Sequence, residues 1–358
     1  MKNQAGRKRS AFFMMKNFIL LLLFQVSTQI YGQWTSVAIP STASFRALKT
    51  FKKHIWVGGT KGTIGHSKDR GKRWEFMQVP DADKLDFRDL VILNENELIL
   101  MSAGPSEESK AVLYHTKDQG KNWTRLWQKD EPGYFFDCIL WDPKIQQGWL
   151  LADPIQDKLR LFSFTRNSFS SIDSMHSPAL QKKEAFFAAS GSSMIQTGNH
   201  ILLVGGGADS TRVYRFDLQN KNWQTVPLHV RSGEAKGYFS IGAKNANELW
   251  AVGGDYRKLN ESTIPIITSE DGGQNWTVLQ NSPTFYMEKV IWAKPYWIVN
   301  GPSQSAAYHK ETNRWKSLGN TTYHNIIQVG NVIWGIGAKG QLGYISLSSI
   351  DQLFLSEK

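Results

Sequence analysis

An octapeptide of the form S-x-D-x-G-x-x-W constrains this chain more than any other feature. The stretch from Ser269 to Trp276 carries it complete, with Asp271 and Gly273 inside. Ser67 to Trp74 repeats it with Asp69 and Gly71, and Thr116 to Trp123 repeats it with Asp118 and Gly120. Reduced copies end at Trp223 and Trp315. Each position has a local task. The aspartate accepts hydrogen bonds from N–H groups of its own turn, and the glycine takes the positive φ of a tight hairpin. The tryptophan opens the returning strand and covers the turn with an apolar face. The serine or threonine ends the incoming strand with a hydroxyl that bonds locally. Turn chemistry repeated in this way marks structural staples rather than reaction centres.

Between the boxes, short apolar runs recur at about the 40- to 50-residue period of propeller blades. A second marker counts them. Apolar strands end in small turns at Gly58, Gly104, Asp153, Gly206, Gly253, Gly301 and Gly337, which makes seven. Each follows another candidate strand, marked by Phe45, Phe87, Phe136, Phe187, Phe239, Met287-Glu288 or His324-Asn325. The expected fold is all-β, one seven-bladed β-propeller over 33–347. Its blades fall near 45–80, 87–128, 134–173, 184–228, 236–281, 285–318 and 323–347. The third blade has lost its box near Phe164–Phe169. The last run lacks a box and a fourth strand, whereas Trp34-Thr35 resembles the strand after a box, as in Trp123-Thr124. Residues 34–39 are therefore expected to close the ring and remove a free edge. Residues 348–358 remain as a tail.

The first segment stands apart. Lys2, Arg7, Lys8, Arg9 and Lys16 precede a short apolar run, Phe18 to Val26, and then small and polar residues through Gly32. Residues 1–32 read as a secretory signal peptide, with an uncleaved anchor as the alternative. The expected location is periplasmic or secreted. The chain carries a net charge of +11, and removal of the five leader cations leaves +6. No basic block remains, so nucleic acid is not an expected partner. Cys138 is the one cysteine, which excludes an internal disulfide, and it reads as a small buried apolar residue.

The boxes resemble the Asp-box (BNR) repeats of sialidases and related propellers. The wider pattern is similar to bacterial propellers of the photosystem II assembly and stability factor group. The segments that carry it include Phe45-Arg46, Asp86-Phe87-Arg88-Asp89, Phe136-Asp137, Asp153-Pro154, Ser190-Gly191, Phe239-Ser240 and Asp255-Tyr256. That resemblance implies a rigid interaction scaffold. Some bacterial members are called oxidoreductases, but this sequence has no dinucleotide fingerprint and no haem, flavin or iron–sulfur signature. No cofactor is expected.

In a propeller the first strand of each blade lines the central channel. Arg46, Asp86, Arg88, Asp89, Asp137, Asp153, Glu184, Ser190, Ser240, Asp255 and Tyr256 are thereby expected around one mouth. Two arginines among carboxylates suit a carboxylate or phosphate ligand. The same charges read equally as inter-blade ion pairs that hold the ring. A sialidase would need three arginines on the substrate carboxylate, a Tyr–Glu nucleophile pair and an acidic Asp. Tyr256 with Glu184 is a candidate pair, and a third arginine lacks a matching context. The eight histidines are scattered, so no metal site is expected. The reading is a monomeric, exported scaffold that takes a protein or glycan partner; the alternative is a glycan-acting, sialidase-like hydrolase.

Overall fold

The computed structural model describes residues 34–166, 168–171 and 177–356; the expected leader lies outside them. Seven four-stranded antiparallel sheets follow one another along the chain. Their inner strands are Phe45–Phe51, Phe87–Ile92, Phe136–Asp142, Met194–Thr197, Lys236–Ala243, Lys289–Ala293 and Tyr323–Val329. Each packs beside the next, and the seventh beside the first, so the sheets form a ring. The chain is a seven-bladed β-propeller.

Burial explains the sequence pattern. The second strands His54–Gly59, Leu98–Ser102, Leu249–Asp255 and Tyr296–Asn300 are buried at every residue, which is why they read as continuous apolar runs. The outer strand Trp223–Arg231 alternates half-buried and exposed positions. The core lies between blades. Trp56 and Ile64 of blade one pack with Phe87, Leu98 and Leu100 of blade two. Trp250 of blade five stacks on Trp297 of blade six with ring centroids 4.8 Å apart.

The N-terminal strand closes the last blade, with Thr35 opposite Tyr344 and Ser36 opposite Gly343. Trp34 lies 4.8 Å from the Tyr323 ring, and its Nε1 donates to Ser305 Oγ of blade six at 3.0 Å. After the last strand the chain forms a helix, Leu347–Leu355, capped by Ser346 Oγ. It buries Ile350 and receives a 2.6 Å hydrogen bond on Asp351 from Tyr296. Nine residues are too few for a helical period to stand out in the sequence.

In the three complete boxes the hydroxyl of Ser67, Thr116 or Ser269 accepts from the glycine N–H and donates to the aspartate. The carboxylate accepts the N–H four residues on, from Arg73, Asn122 or Asn275. The tryptophan Nε1 donates back to the glycine carbonyl at 3.1, 2.9 and 3.1 Å. Gly71, Gly120 and Gly273 all have positive φ, where a Cβ is strained. Counting antiparallel strands places the boxes at one end of the ring and the connections between blades at the other.

Two departures from regular strands shape that second end. Five inner strands shift register just after their opening aromatic, at Phe45/Ala47, Phe87/Asp89, Phe136/Cys138, Tyr238/Ser240 and Tyr323/Asn325. A bulge leaves one residue out of the ladder and re-aims its side chain. The residues so released are Arg46, Arg88, Asp137, Phe239 and His324. In blade four the strand expected at Phe187-Ala188 starts only at Met194. The backbone carbonyls from Ala189 to Gly191 bond across the channel instead of to a sheet neighbour. Ala189, Ser190 and Gly191 accept from Arg46, Asn325 and Lys49 of blades one and seven. This buried segment plugs the channel below its mouth.

Candidate binding site at the channel mouth

Above the plug lies a cavity of about 410 Å³. Arg46, Arg88 and His324 line one side, and Phe187, Phe239, Tyr256 and Tyr286 line the other. Four of the five bulge residues therefore reach it. Asp137 does not line it.

The charged side is internally held. Arg46 Nη1 lies 3.2 Å from Glu288 and donates to Ala189 O at 3.0 Å. Glu288 also accepts from Tyr286 Oη at 3.1 Å and meets His324 Nδ1 at 2.8 Å. Burial opposes ionisation of Glu288, but Arg46 and then His324 outweigh it and hold the carboxyl below its usual range. Burial and the Glu288 charge push the Tyr286 phenol well up, so it stays a hydrogen-bond donor. Arg88 Nε donates to Asp86 at 2.7 Å. The aromatic side is stacked: Phe187 lies 3.9 Å from Phe239, which meets Tyr256 and Tyr286 edge-on at 6.4 and 4.9 Å. Tyr256 is 48% exposed, so its ring is open to a ligand.

The other sequence candidates take different places. Asp89 is buried deeper in the channel on Lys49. Ser190 belongs to the plug and Ser240 to the inner strand of blade five, and Ser192 Oγ links them at 2.7 and 2.8 Å. Asp255 accepts from the Arg257 N–H and folds its own loop. Glu184 bonds the Tyr214 hydroxyl at 2.7 Å and the Gln181 N–H, so the suggested Tyr256–Glu184 pair is not made. Asp153 accepts from the Phe186 N–H at the start of the plug. Burial raises Asp153 to about 6. Burial and the nearby Asp153 charge raise Asp137 far above the carboxylate range, and neither of its oxygens has a hydrogen-bond partner. Among the described residues, no group of three or more His, Cys, Asp or Glu could hold a metal ion.

The sequence reading did not assign Phe187, Phe239, Tyr286, Glu288 and His324 to the site. All five were visible as strand markers or their neighbours. The bulge that turns Phe239 and His324 outward has no sequence signature of its own here.

A family model described as the photosynthesis system II assembly factor YCF48 matches residues 26–134, blades one and two with the strand before them. The solved structure of YCF48 from Cyanidioschyzon merolae superposes with a TM-score of 0.64 at 12% identity, covering 88% of this chain and 99% of that one. This chain resembles the photosystem II assembly factor. A structure titled YCF48 bound to D1 peptide gives a TM-score of 0.59 at 13% identity, over 88% of this chain and 98% of that one. The computationally designed Ika8 protein gives 0.55 at 10% identity, over 86% and 98%. At such identities the likeness of the assembly-factor structures to this chain is one of fold. No curated protein matches the chain.

Proposed function

We propose that this chain is an exported, assembly-factor-like binding protein that takes a segment of a protein partner at the channel mouth. The observation that carries this reading is the cavity itself. It sets an aromatic wall, open at Tyr256, against two guanidinium groups. Such a surface gives an extended segment stacking area and orients its carbonyl or carboxylate groups. The assembly-factor structure titled with a D1 peptide supports a peptide as the ligand class. The basic, then apolar, leader at 1–32 supports export. Glu288, the carboxylate lining the cavity, is engaged by Arg46, Tyr286 and His324, which suits a fixed scaffold better than a general acid.

The test is binding to an immobilised peptide library. The protein is compared with Arg88→Ala and Tyr256→Ala, two changes outside the buried ion-pair network. Selected peptides should bind at least about tenfold more weakly to each variant, the order of a lost interface anchor. Thermal stability should be unchanged in Tyr256→Ala and should fall by no more than about 1 kcal/mol in Arg88→Ala, which loses its partly exposed pair with Asp86. Equal binding by all three proteins would move the site away from the mouth.

A further inference from the structure

The channel below the plug holds an amine that no part of this reading uses. Asp89 Oδ2 accepts from Ile139 N of the next blade at 3.0 Å, and Ser240 Oγ accepts from Val290 N of the next blade at 3.1 Å. These matching contacts put Lys289 of blade six at the same level as Cys138 of blade three. Lys49 of blade one also joins this level. Its Nζ lies 3.0 Å from Asp89 Oδ1 and donates to Gly191 O at 3.3 Å. Asp89 has little capacity left, because it also accepts the N–H groups of Leu90 and Ile139. Lys289 is half-buried and has no hydrogen-bond acceptor or ion-pair partner among the described residues.

The charges on every side can be named. Lys49 and Asp89 act on Lys289 electrostatically, while burial keeps the Cys138 thiol protonated and neutral. Ser240 and Asn325 occupy the matching positions on the strands to either side and carry no charge. Glu288, the preceding residue, is committed to Arg46 and His324. Two ammonium groups against one carboxylate leave one positive charge unmatched in a half-buried channel, where lost hydration favours a counter-ion. Burial, and then Lys49, push the Lys289 amine down to about 7, as expected of an ammonium with too few acceptors. Lys49 also lines a cavity of about 190 Å³, walled by Phe51, Leu90, Ile139 and Trp141. Those residues lie toward the box end of their strands, so the cavity reaches Lys49 from the side opposite the mouth; Lys289 does not line it.

We propose that the channel binds one small monovalent anion, chloride or a formate-sized carboxylate, at Lys289 Nζ beside Lys49. The site is separate from the mouth and does not depend on the proposed partner.

The test is chlorine-35 NMR line broadening with the full-length mature protein at pH 6. Broadening should be saturable, should be competed by formate, and should be lost in Lys289→Met but kept in Arg88→Ala. Binding requires the protonated amine, so apparent chloride affinity should fall at least about tenfold between pH 6 and pH 8.5. Surface lysines stay charged across that range. The wild-type pH profile therefore tests the site even if Lys289→Met fails to fold. Absence of broadening, persistence of it in a folded Lys289→Met, or an affinity constant from pH 6 to 8.5 would each overturn the proposal.

Discussion

Asn325 and Ser190 stand 135 residues apart in the chain and meet across the channel, Nδ2 to carbonyl oxygen, at 2.9 Å. The same nitrogen donates to Arg46 O at 2.7 Å. One buried amide thus joins blades seven and one to the plug that leads into blade four. Replacing Asn325 by Leu keeps the volume but leaves two carbonyls without this donor. The expected cost is on the order of 2–3 kcal/mol. It would appear as a lower urea midpoint, and an unchanged midpoint would show that the plug does not depend on this tie.

The boxes predict an acid limb. The Arg73 guanidinium and N–H hold Asp69 down to about 2, and the Asn122 N–H and side chain do the same for Asp118. Burial would raise Asp271, but hydrogen bonds from Asn275 outweigh it and lower the group. A carboxyl lowered by folding stabilises above its unfolded value near 3.8, and the gain is lost as pH falls toward the folded value. Melting temperature should therefore drop between pH 4 and pH 2. Asp118→Asn should lower stability at pH 7 and flatten part of that drop. A wild-type melting temperature constant from pH 4 to 2 would contradict the hydrogen-bond account of the boxes.

Asp153 predicts a slope of the opposite sign. Burial raises it to about 6, so its contribution is fully present below pH 3.8 and is lost as pH rises through 6. Asp153→Asn keeps an oxygen for the Phe186 N–H and removes the charge that faces Asp137. The variant should be more stable than the wild type at pH 8, by up to about 2–3 kcal/mol, and close to it at pH 4. Melting curves at the two pH values decide this. Loss of stability at pH 8 would mean that the ionised Asp153 has a partner worth more than its burial costs.

The architecture is legible because its signals are local. Asp271, Gly273 and Trp276 complete their hydrogen bonds within one turn, so five related turns suffice to reveal repetition. Trp34-Thr35 betrays the closing strand because it copies the start of other outer strands. The mouth is half legible. Arg46 and Arg88 stand out as charges directly after strand aromatics. Phe239 looks like any strand aromatic until the bulge turns it outward. The plug is illegible because its partners are remote: Ser190 Oγ bonds Glu288 O 98 residues away, and Ala189 O takes Arg46 143 residues away. Glu184 shows the converse error, since an acid beside strand aromatics looked ligand-facing while its partners are Tyr214 and its own turn.

Closure of the ring yields the last prediction, a comparison of two truncations. Removing residues 33–40 takes away the ladder at Thr35 and Ser36, the Val37 N–H bond to Leu342, and Trp34 with its contacts to Tyr323 and Ser305. It also reopens an edge on Leu342–Ser346. Loss of the half-buried tryptophan alone costs roughly 1–3 kcal/mol. Removing residues 350–358 is not neutral either, because Ile350 is fully buried and Asp351 holds the Tyr296 hydroxyl. That helix covers the ring without completing a ladder, so its loss should cost less and should leave the sheet content intact. The expected order of melting temperatures is wild type, then the C-terminal truncation, then the N-terminal one, with oligomers appearing only in the last through its free edge. Equal melting temperatures for the two truncations would sink the claim that the N-terminal strand locks the propeller.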